Sequence, residues 1–359
     1  MSRRSIYWIV LVLIAIGIKV FSLFPAAVES YYSSGIYPWI SRVQRILFGW
    51  LPFSIGDMLY AATAVYLVIA LIRLIKKIIK KQANRHYWAA VFLRTANVVL
   101  WVYISFNFLW GLNYNRLGIA HQLNLTNKTV TKEEITTVME TLLARVNFYD
   151  SVGRINRDSL SDSKYLFKNA EASYLNMPHT NGYMNYKAAS IKSSLYSYLG
   201  NYLGYTGYYN PFTGEAQVNT TVPLFIQPFT ACHEIGHQLG YAKENEANFA
   251  GYLSAKCSTN PAFLYSVYFE LYNYGRPYLY YTDSLSLRKL ELQLHPGIKR
   301  DFKELKEFYL SHENPIERVI DKLYGQYLKA NEQPAGKITY GQVILWLVAY
   351  YRVNGAEGI

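Results

Sequence analysis

The sequence predicts a mainly α-helical protein: three N-terminal transmembrane helices followed by an α-rich outer domain that carries a small sheet. Three observations predict it. Hydrophobic residues make up 51% of the 359 and charged residues only 17%, an apolar balance that points to a membrane region. The apolar residues gather in three stretches, about 6–24, 58–75 and 88–112, each near the roughly 20 residues a helix needs to cross a bilayer. From residue 113 onward the composition becomes that of a soluble domain, with apolar residues at helical spacing. The expected division is therefore a membrane region over 1–112 and an outer domain over 113–359.

Positive charge orients the spans. Arg3 and Arg4 precede the first, and Lys76, Lys77, Lys80, Lys81 and Arg85 lie between the second and third. Both clusters belong on the cytoplasmic side, which sends everything after the third span outside the cytoplasm. Lys19 and Arg94 fall inside apolar stretches, near enough to their ends to snorkel toward water. Pro25-Ala26-Ala27 offers small residues for a leader cleavage, but two further spans follow, and an uncut anchor is the expectation. In the loop over 25–56, Ile40, Val43, Ile46, Leu47 and Trp50 recur at helical spacing. They predict an amphipathic helix lying on the membrane surface or on the outer domain.

The net charge of +12 comes largely from those flanking runs. It reads as topology rather than as a nucleic-acid footprint, and no zinc-finger or RNP pattern is present. Cys232 and Cys257 are the two cysteines, too few for a disulfide framework. Cys232 reads as a small buried apolar residue.

In the outer domain, Thr131-Lys132-Glu133-Glu134 has capping-box form, and Ile135, Val138, Met139, Leu142, Leu143 and Val146 trace one helical face after it. Further helices are expected at about 163–175, 187–203, 228–239, 244–257, 261–273, 285–293, 297–311, 315–330 and 339–352. Pro228, Pro261, Pro296 and Pro315 suit first-turn positions. The best strand is about 215–219, after the turn-like Asn210-Pro211-Phe212-Thr213-Gly214.

The chemistry concentrates in His233-Glu234-Ile235-Gly236-His237. Two histidines four apart project from one helix face and can grip one ion. Glu234, beside the first, can reach a water on that ion. This is the HExxH arrangement of zinc-dependent hydrolysis, with Glu234 as the general base. Pro228 can open the helix and Gly240 can end it.

A second helix begins almost at once with Lys243-Glu244-Asn245-Glu246-Ala247-Asn248. A catalytic zinc wants a third protein ligand, and Glu244 or Glu246 can supply it. Glu244 is preferred: it shares a face with Ala247 and Gly251, which allow close approach, and Asn248 lies one turn on to bond a ligand histidine. An intramembrane site is disfavoured, because Gln227, Gln238, Lys243 and Glu244 surround the histidines. Tyr209, Tyr324, Tyr327, His295 and His312 are candidates to stabilise an oxyanion. Glu215, Ala216 and Gln217 are candidates for a strand that aligns an extended substrate, with a buried connecting strand as the equal alternative.

His233-Glu234-x-x-His237 followed by Glu244-x-x-x-Asn248 resembles the gluzincin pattern, and the second segment is similar to the matching helix of CAAX-protease-type and ImmA/IrrE-type metallopeptidases. That resemblance implies a zincin-like domain with Glu244 as ligand, Asn248 as its neighbour's hydrogen-bond partner and Glu234 as base. The spacing departs from those families, which place far more chain before the glutamate. A metzincin assignment fails because Lys243 stands where the third histidine belongs.

Over nearly its whole length the chain looks like a family of three-span Bacteroidota membrane proteins described as a domain of unknown function. The likeness lies in Ile55-Gly56-Asp57, Asn210 to Ala216, His233 to Phe249 and Tyr327-Leu328-Lys329-Ala330-Asn331. It implies a multi-pass protein of the bacterial inner membrane with its C-terminal domain in the periplasm. The expected activity is zinc-dependent hydrolysis of a peptide or protein substrate. The alternative is a non-catalytic membrane protein that keeps a structural or sensory metal site.

Overall fold

The computed structural model describes residues 2–125, 129–178 and 184–359. Helices α1 (Arg3–Ser22), α4 (Ile55–Ile79) and α5 (Arg85–Leu109) are long and apolar enough to cross a membrane, and their apolar side chains are largely uncovered by protein. Helix α4 starts earlier than its apolar run because Ser54 caps it, accepting from Asp57 N at 3.0 Å. It ends later because Lys76 and Lys77 extend its last turn. At 1.5 Å per residue, 25 residues reach about 37 Å, beyond the roughly 30 Å apolar core of a bilayer. Tyr7 of α1 accepts from Asn97 and Trp101 of α5 at 2.7 and 2.9 Å, which joins the first and third of these helices.

Between α1 and α4 lie the short turn α2 (Pro25–Ala27), a π-helical segment Val28–Ile36 and helix α3 (Tyr37–Phe48). After α5 comes a 3₁₀ segment, Gly111–Asn115, then α6 (Ile119–Gln122). The remaining helices are α7 (Lys132–Ile155), α8 (Ser163–Leu175), α9 (Ser197–Leu203), α10 (Gln227–Gln238), α11 (Glu244–Ala255), α12 (Pro261–Leu292), α13 (Pro296–His312), α14 (Pro315–Ala330) and α15 (Val343–Asn354). The capping box at Thr131 and Glu134 forms as expected. The long pair α7 and α12 builds one wall of the core, where Val138, Met139, Leu142 and Val146 meet Phe269, Leu271, Tyr272 and Leu279. Helix α12 fuses two expected helices, with Asp283 non-helical at the kink and its carboxylate accepting from Ser286 N.

The sheet has three strands in the order β1 (Ile191–Ser193), β3 (Glu215–Val218), β2 (Gly207–Asn210). Strand β1 pairs parallel with β3, and β2 pairs antiparallel with it. One expectation is corrected here, and one pair of alternatives is decided. The segment 187–203 is not one helix. Asp57 at the start of α4 accepts from Leu195 N at 2.7 Å, and its carbonyl accepts from the Tyr196 hydroxyl at 2.8 Å, so a tertiary tie breaks the run and helix begins only at Ser197.

Glu215, Ala216 and Gln217 lie on the central strand, paired on both sides and buried, so that segment has no free edge for a substrate strand. Glu215 instead anchors α4. Its carboxylate accepts from the backbone N–H groups of Ile55 and Gly56 at 3.1 and 2.6 Å and from Lys192 Nζ at 2.6 Å. A carboxylate at a helix N-terminus meets both unpaired donors and the positive end of the helix dipole.

Candidate metal centre

Helix α10 is buried over all 12 residues. Its C-terminal carbonyls are therefore out of reach of water and need partners within the protein. The donors come from the segments that flank the membrane helices. Trp110 Nε1 donates to His237 O at 3.1 Å, and Tyr37 Oη and Ser41 Oγ donate to Gln238 O at 2.9 and 2.6 Å. Arg45 adds a longer bond to Gln238 O, and Arg116 donates to Gly240 O at 3.1 Å. Two cations at a helix C-terminus also suit its dipole. Gly240 turns the chain with φ +85, and a Cβ there would strike the Tyr37 ring at 2.8 Å.

The turn is tight, so α11 packs straight back along α10. Small residues allow it. A Cβ on Gly251 would lie 3.0 Å from His233 N, and one on Gly236 would lie 3.2 Å from Ala247 O. This close crossing delivers Glu244 to the histidines. Its Oε2 lies 3.3 Å from His233 Nε2 and 3.5 Å from His237 Nε2. The donor atoms of His233, Glu234 and His237 also lie within 4.8 Å of one another.

The other ring nitrogens are occupied. His233 Nδ1 meets Asn248 Oδ1 at 2.7 Å, and His237 Nδ1 meets Tyr241 O at 2.8 Å. Both partners are acceptors, so each Nδ1 carries the proton and each Nε2 turns a lone pair into the centre. Glu244 Oε1 accepts from Tyr324 Oη at 2.7 Å, whereas Glu244 Oε2 and Glu234 Oε2 are buried without a hydrogen-bond partner.

That pattern fits a metal ion. Ligands about 2.0–2.2 Å from a tetrahedral zinc stand about 3.3–3.6 Å from each other, which matches the two histidine–glutamate separations. Two imidazoles and one carboxylate are a zinc-type donor set with one position left open. Buried carboxylate oxygens without donors are costly unless a cation faces them.

Electrostatics separates the acids. Burial pushes the Glu234 carboxyl up to about 7, against the opposing pull of His233 and His237. Burial acts the same way on Glu244, but the two histidines outweigh it and hold Glu244 below the usual carboxylate range. Glu246 lies elsewhere. Its carboxylate fills the space above Gly118, where a Cβ would collide with it, and burial is the main cause of its raised pKa, with Lys243 and Arg116 opposing. Of the two acids the sequence offered, the structure brings Glu244 to the histidines.

The aromatic cover was only partly foreseen. Tyr324 and Tyr327 stand over the site on α14, their rings near-parallel, and Tyr327 Oη meets Tyr114 Oη at 3.1 Å. Tyr340, in the 3₁₀ segment Gly336–Gln342, lies near-parallel to the His233 ring and meets Tyr324 Oη at 3.0 Å. The sequence reading missed Tyr340, which has no motif around it. Tyr209 is packed against Tyr37 and Trp110 instead. His295 lies 3.7 Å from Asp150, and His312 ends α13 against Phe308 O. Cys232 is fully buried, with Tyr174 bonded to its carbonyl. The strand beside Glu234 is β2, since a Cβ on Gly207 would lie 2.6 Å from Glu234 Oε1.

Fold and site together define a helical protein with three membrane-length helices and an HExxH-type candidate metal centre. The chain belongs to the family described as protein of unknown function (DUF3810), whose model matches residues 32–348. Neither the curated proteins nor the solved structures contain a match to it.

Proposed function

We propose that the protein is a membrane-anchored zinc metallopeptidase that hydrolyses peptide bonds outside the cytoplasm. The observation that carries the reading is Glu244 Oε2: a buried carboxylate oxygen with no hydrogen-bond donor, aimed between two histidine Nε2 atoms. In this proposal His233, His237 and Glu244 hold the ion. Zinc in such a site supplies Lewis acidity to a carbonyl and acidifies a water. Glu234 takes the water's proton on its unpartnered Oε2 and returns it to the leaving amine, a task suited to a carboxyl whose pKa burial has brought near neutrality. Asn248 and Tyr241 hold the imidazole orientations. Tyr324 holds Glu244 by donating its one O–H to Oε1.

The location rests on charge. Lys76, Lys77, Lys80 and Lys81 stand where α4 approaches α5, the end that positive charge keeps in the cytoplasm. The C-terminal domain then lies on the periplasmic side of a bacterial inner membrane.

One observation favours a second reading, a non-catalytic metal sensor or structural site. His233, Glu234, His237 and Glu244 are all more than nine-tenths buried, under Tyr324 and Tyr340. Metal content and turnover of Glu234→Gln separate the two. The hydrolase reading expects full zinc and no peptide hydrolysis in that variant, against zinc with hydrolysis in the native protein. Zinc without turnover on any peptide in the native protein supports the second reading.

A further inference from the structure

Helix α3 is inside out. Its face toward protein is polar: Tyr37, Ser41, Gln44 and Arg45 are buried and bonded to Gln238 O, Pro211 O and Lys187 O. Its outward face is apolar: Trp39, Val43, Ile46 and Leu47 are exposed, as is Trp50 two residues past its end, the two tryptophans by 68% and 75%. Water penalises that arrangement, so the outward face needs an apolar partner.

Chain connectivity says which one. Helix α3 lies between the end of α1 at Ser22 and the start of α4 at Ile55, two helices of membrane-spanning length. A helix confined to such a loop, with tryptophans on its apolar side and exposed Arg42 among them, has the composition of one that lies in the lipid interface.

Helix α14 repeats the pattern. It buries only Leu328, while Ile316, Val319 and Leu323 form an exposed stripe. Its ends are tied to segments that lead to membrane-length helices. Asn314 donates to Tyr202 O of α9 at 2.7 Å, and Leu195, two residues before α9, bonds Asp57 of α4. Tyr327 meets Tyr114, five residues past α5. This same helix carries Tyr324, the partner of Glu244.

We propose that the apolar faces of α3 and α14 rest in the bilayer interface, so that the metal site opens at the membrane surface and its substrate is a polypeptide anchored in the same membrane. Helix α3 then lies between the C-terminal turn of α10, whose Gln238 O it bonds, and lipid. One helix diameter, about 10–12 Å, is about three to four residues of extended chain. The bond that reaches the site therefore lies within a few residues of the point where the substrate leaves the bilayer. The substrate half of this proposal rests on the hydrolase reading, whereas the docking half does not.

The docking half is tested on the full chain in phosphatidylcholine vesicles with brominated acyl chains. The Trp39 and Trp50 signal is the difference between native protein and the Trp39→Phe/Trp50→Phe variant; Val319→Trp in that variant reports on α14. Both signals should be strongly quenched by bromine near the headgroup end of the chain and less by bromine at its tail end. Signals left unquenched by either lipid, through exposure to water or cover by a second copy, overturn the proposal. The substrate half is tested with a peptide library presented behind a transmembrane anchor and again without it. Faster cleavage of the anchored form, close to the anchor, is expected. Equal cleavage of both overturns the substrate class. Quenching without cleavage of either form counts against the hydrolase reading and removes the substrate class with it, while docking stands.

Discussion

Tyr324 donates its phenol to Oε1 of Glu244 at 2.7 Å and leaves Oε2 of the same carboxylate facing both histidines. The hydrogen bond divides the labour between the two oxygens and fixes the carboxylate plane. Tyr324→Phe removes it while keeping the ring that stacks on Tyr327. A hydrogen bond to a charged acceptor is worth about 1.5–3 kcal/mol, and loss of such an outer partner lowers metal affinity about 10–100-fold. Zinc competition against a chelator should show that loss with the fold intact. Unchanged affinity would remove Tyr324 from the support of the site.

Asn248 does two jobs. Its Oδ1 fixes His233 Nδ1, and its Nδ2 donates to Tyr340 O at 3.0 Å. Asn248→Ala should weaken zinc binding by about 10–100-fold and also loosen the Tyr340 segment, visible as faster proteolysis near residue 340. Asn248→Asp keeps an acceptor for Nδ1 and should restore much of the affinity but not the bond to Tyr340.

The C-terminal turn of α10 depends on donors outside the C-terminal domain as the sequence divides it. Tyr37, Ser41, Arg45 and Trp110 precede residue 113 and serve His237 O and Gln238 O. A fragment that begins at residue 117 should therefore lose its zinc site even if its other helices fold. In the full chain, Arg45→Met should lower stability by about 2 kcal/mol, since it strips a cation from a helix C-terminus and removes the donors to Lys187 O and Ala188 O. Thermal unfolding in nanodiscs measures the second effect, and zinc content of the fragment measures the first. A fragment that binds zinc like the full chain would contradict the account.

Glu270 on α12 supplies a pH dependence independent of the metal. Burial alone pushes its carboxyl from 4.5 up to about 8. Between those values the folded chain holds a proton that the unfolded chain has released, so stability falls as pH rises from about 4.5 to about 8. The full effect is on the order of 3–5 kcal/mol. Glu270→Gln should flatten this part of the profile and stabilise the protein above pH 8. Equal slopes for native and variant protein would exclude the effect.

The three membrane-length helices and the HExxH helix were legible in sequence because both signals are local. Apolar run length reports the first, and four-residue spacing reports the second. Glu244 and Asn248 were legible because only Lys243 and five other residues separate His237 from Glu244, which leaves room for little but a tight return. What escaped was built by contacts distant in sequence. Strand β1 hides in a helical-looking stretch because Asp57 holds Leu195. Whether strand β3 was an edge or a buried connection stayed open because its partners β1 and β2 are only three and four residues long. Tyr340 lies 92 residues from Asn248, and the donors to α10 lie farther still from the carbonyls they serve, where no spacing rule reaches.

Zinc K-edge absorption spectroscopy of the purified full-length protein tests the central claim most directly. The account predicts one zinc per chain with two imidazole nitrogens and oxygen ligands at about 2.0–2.2 Å, and loss of that signal in Glu244→Ala but not in Glu246→Ala. A spectrum with sulfur in the shell, a signal that follows Glu246 instead, or no bound metal after zinc loading would contradict it.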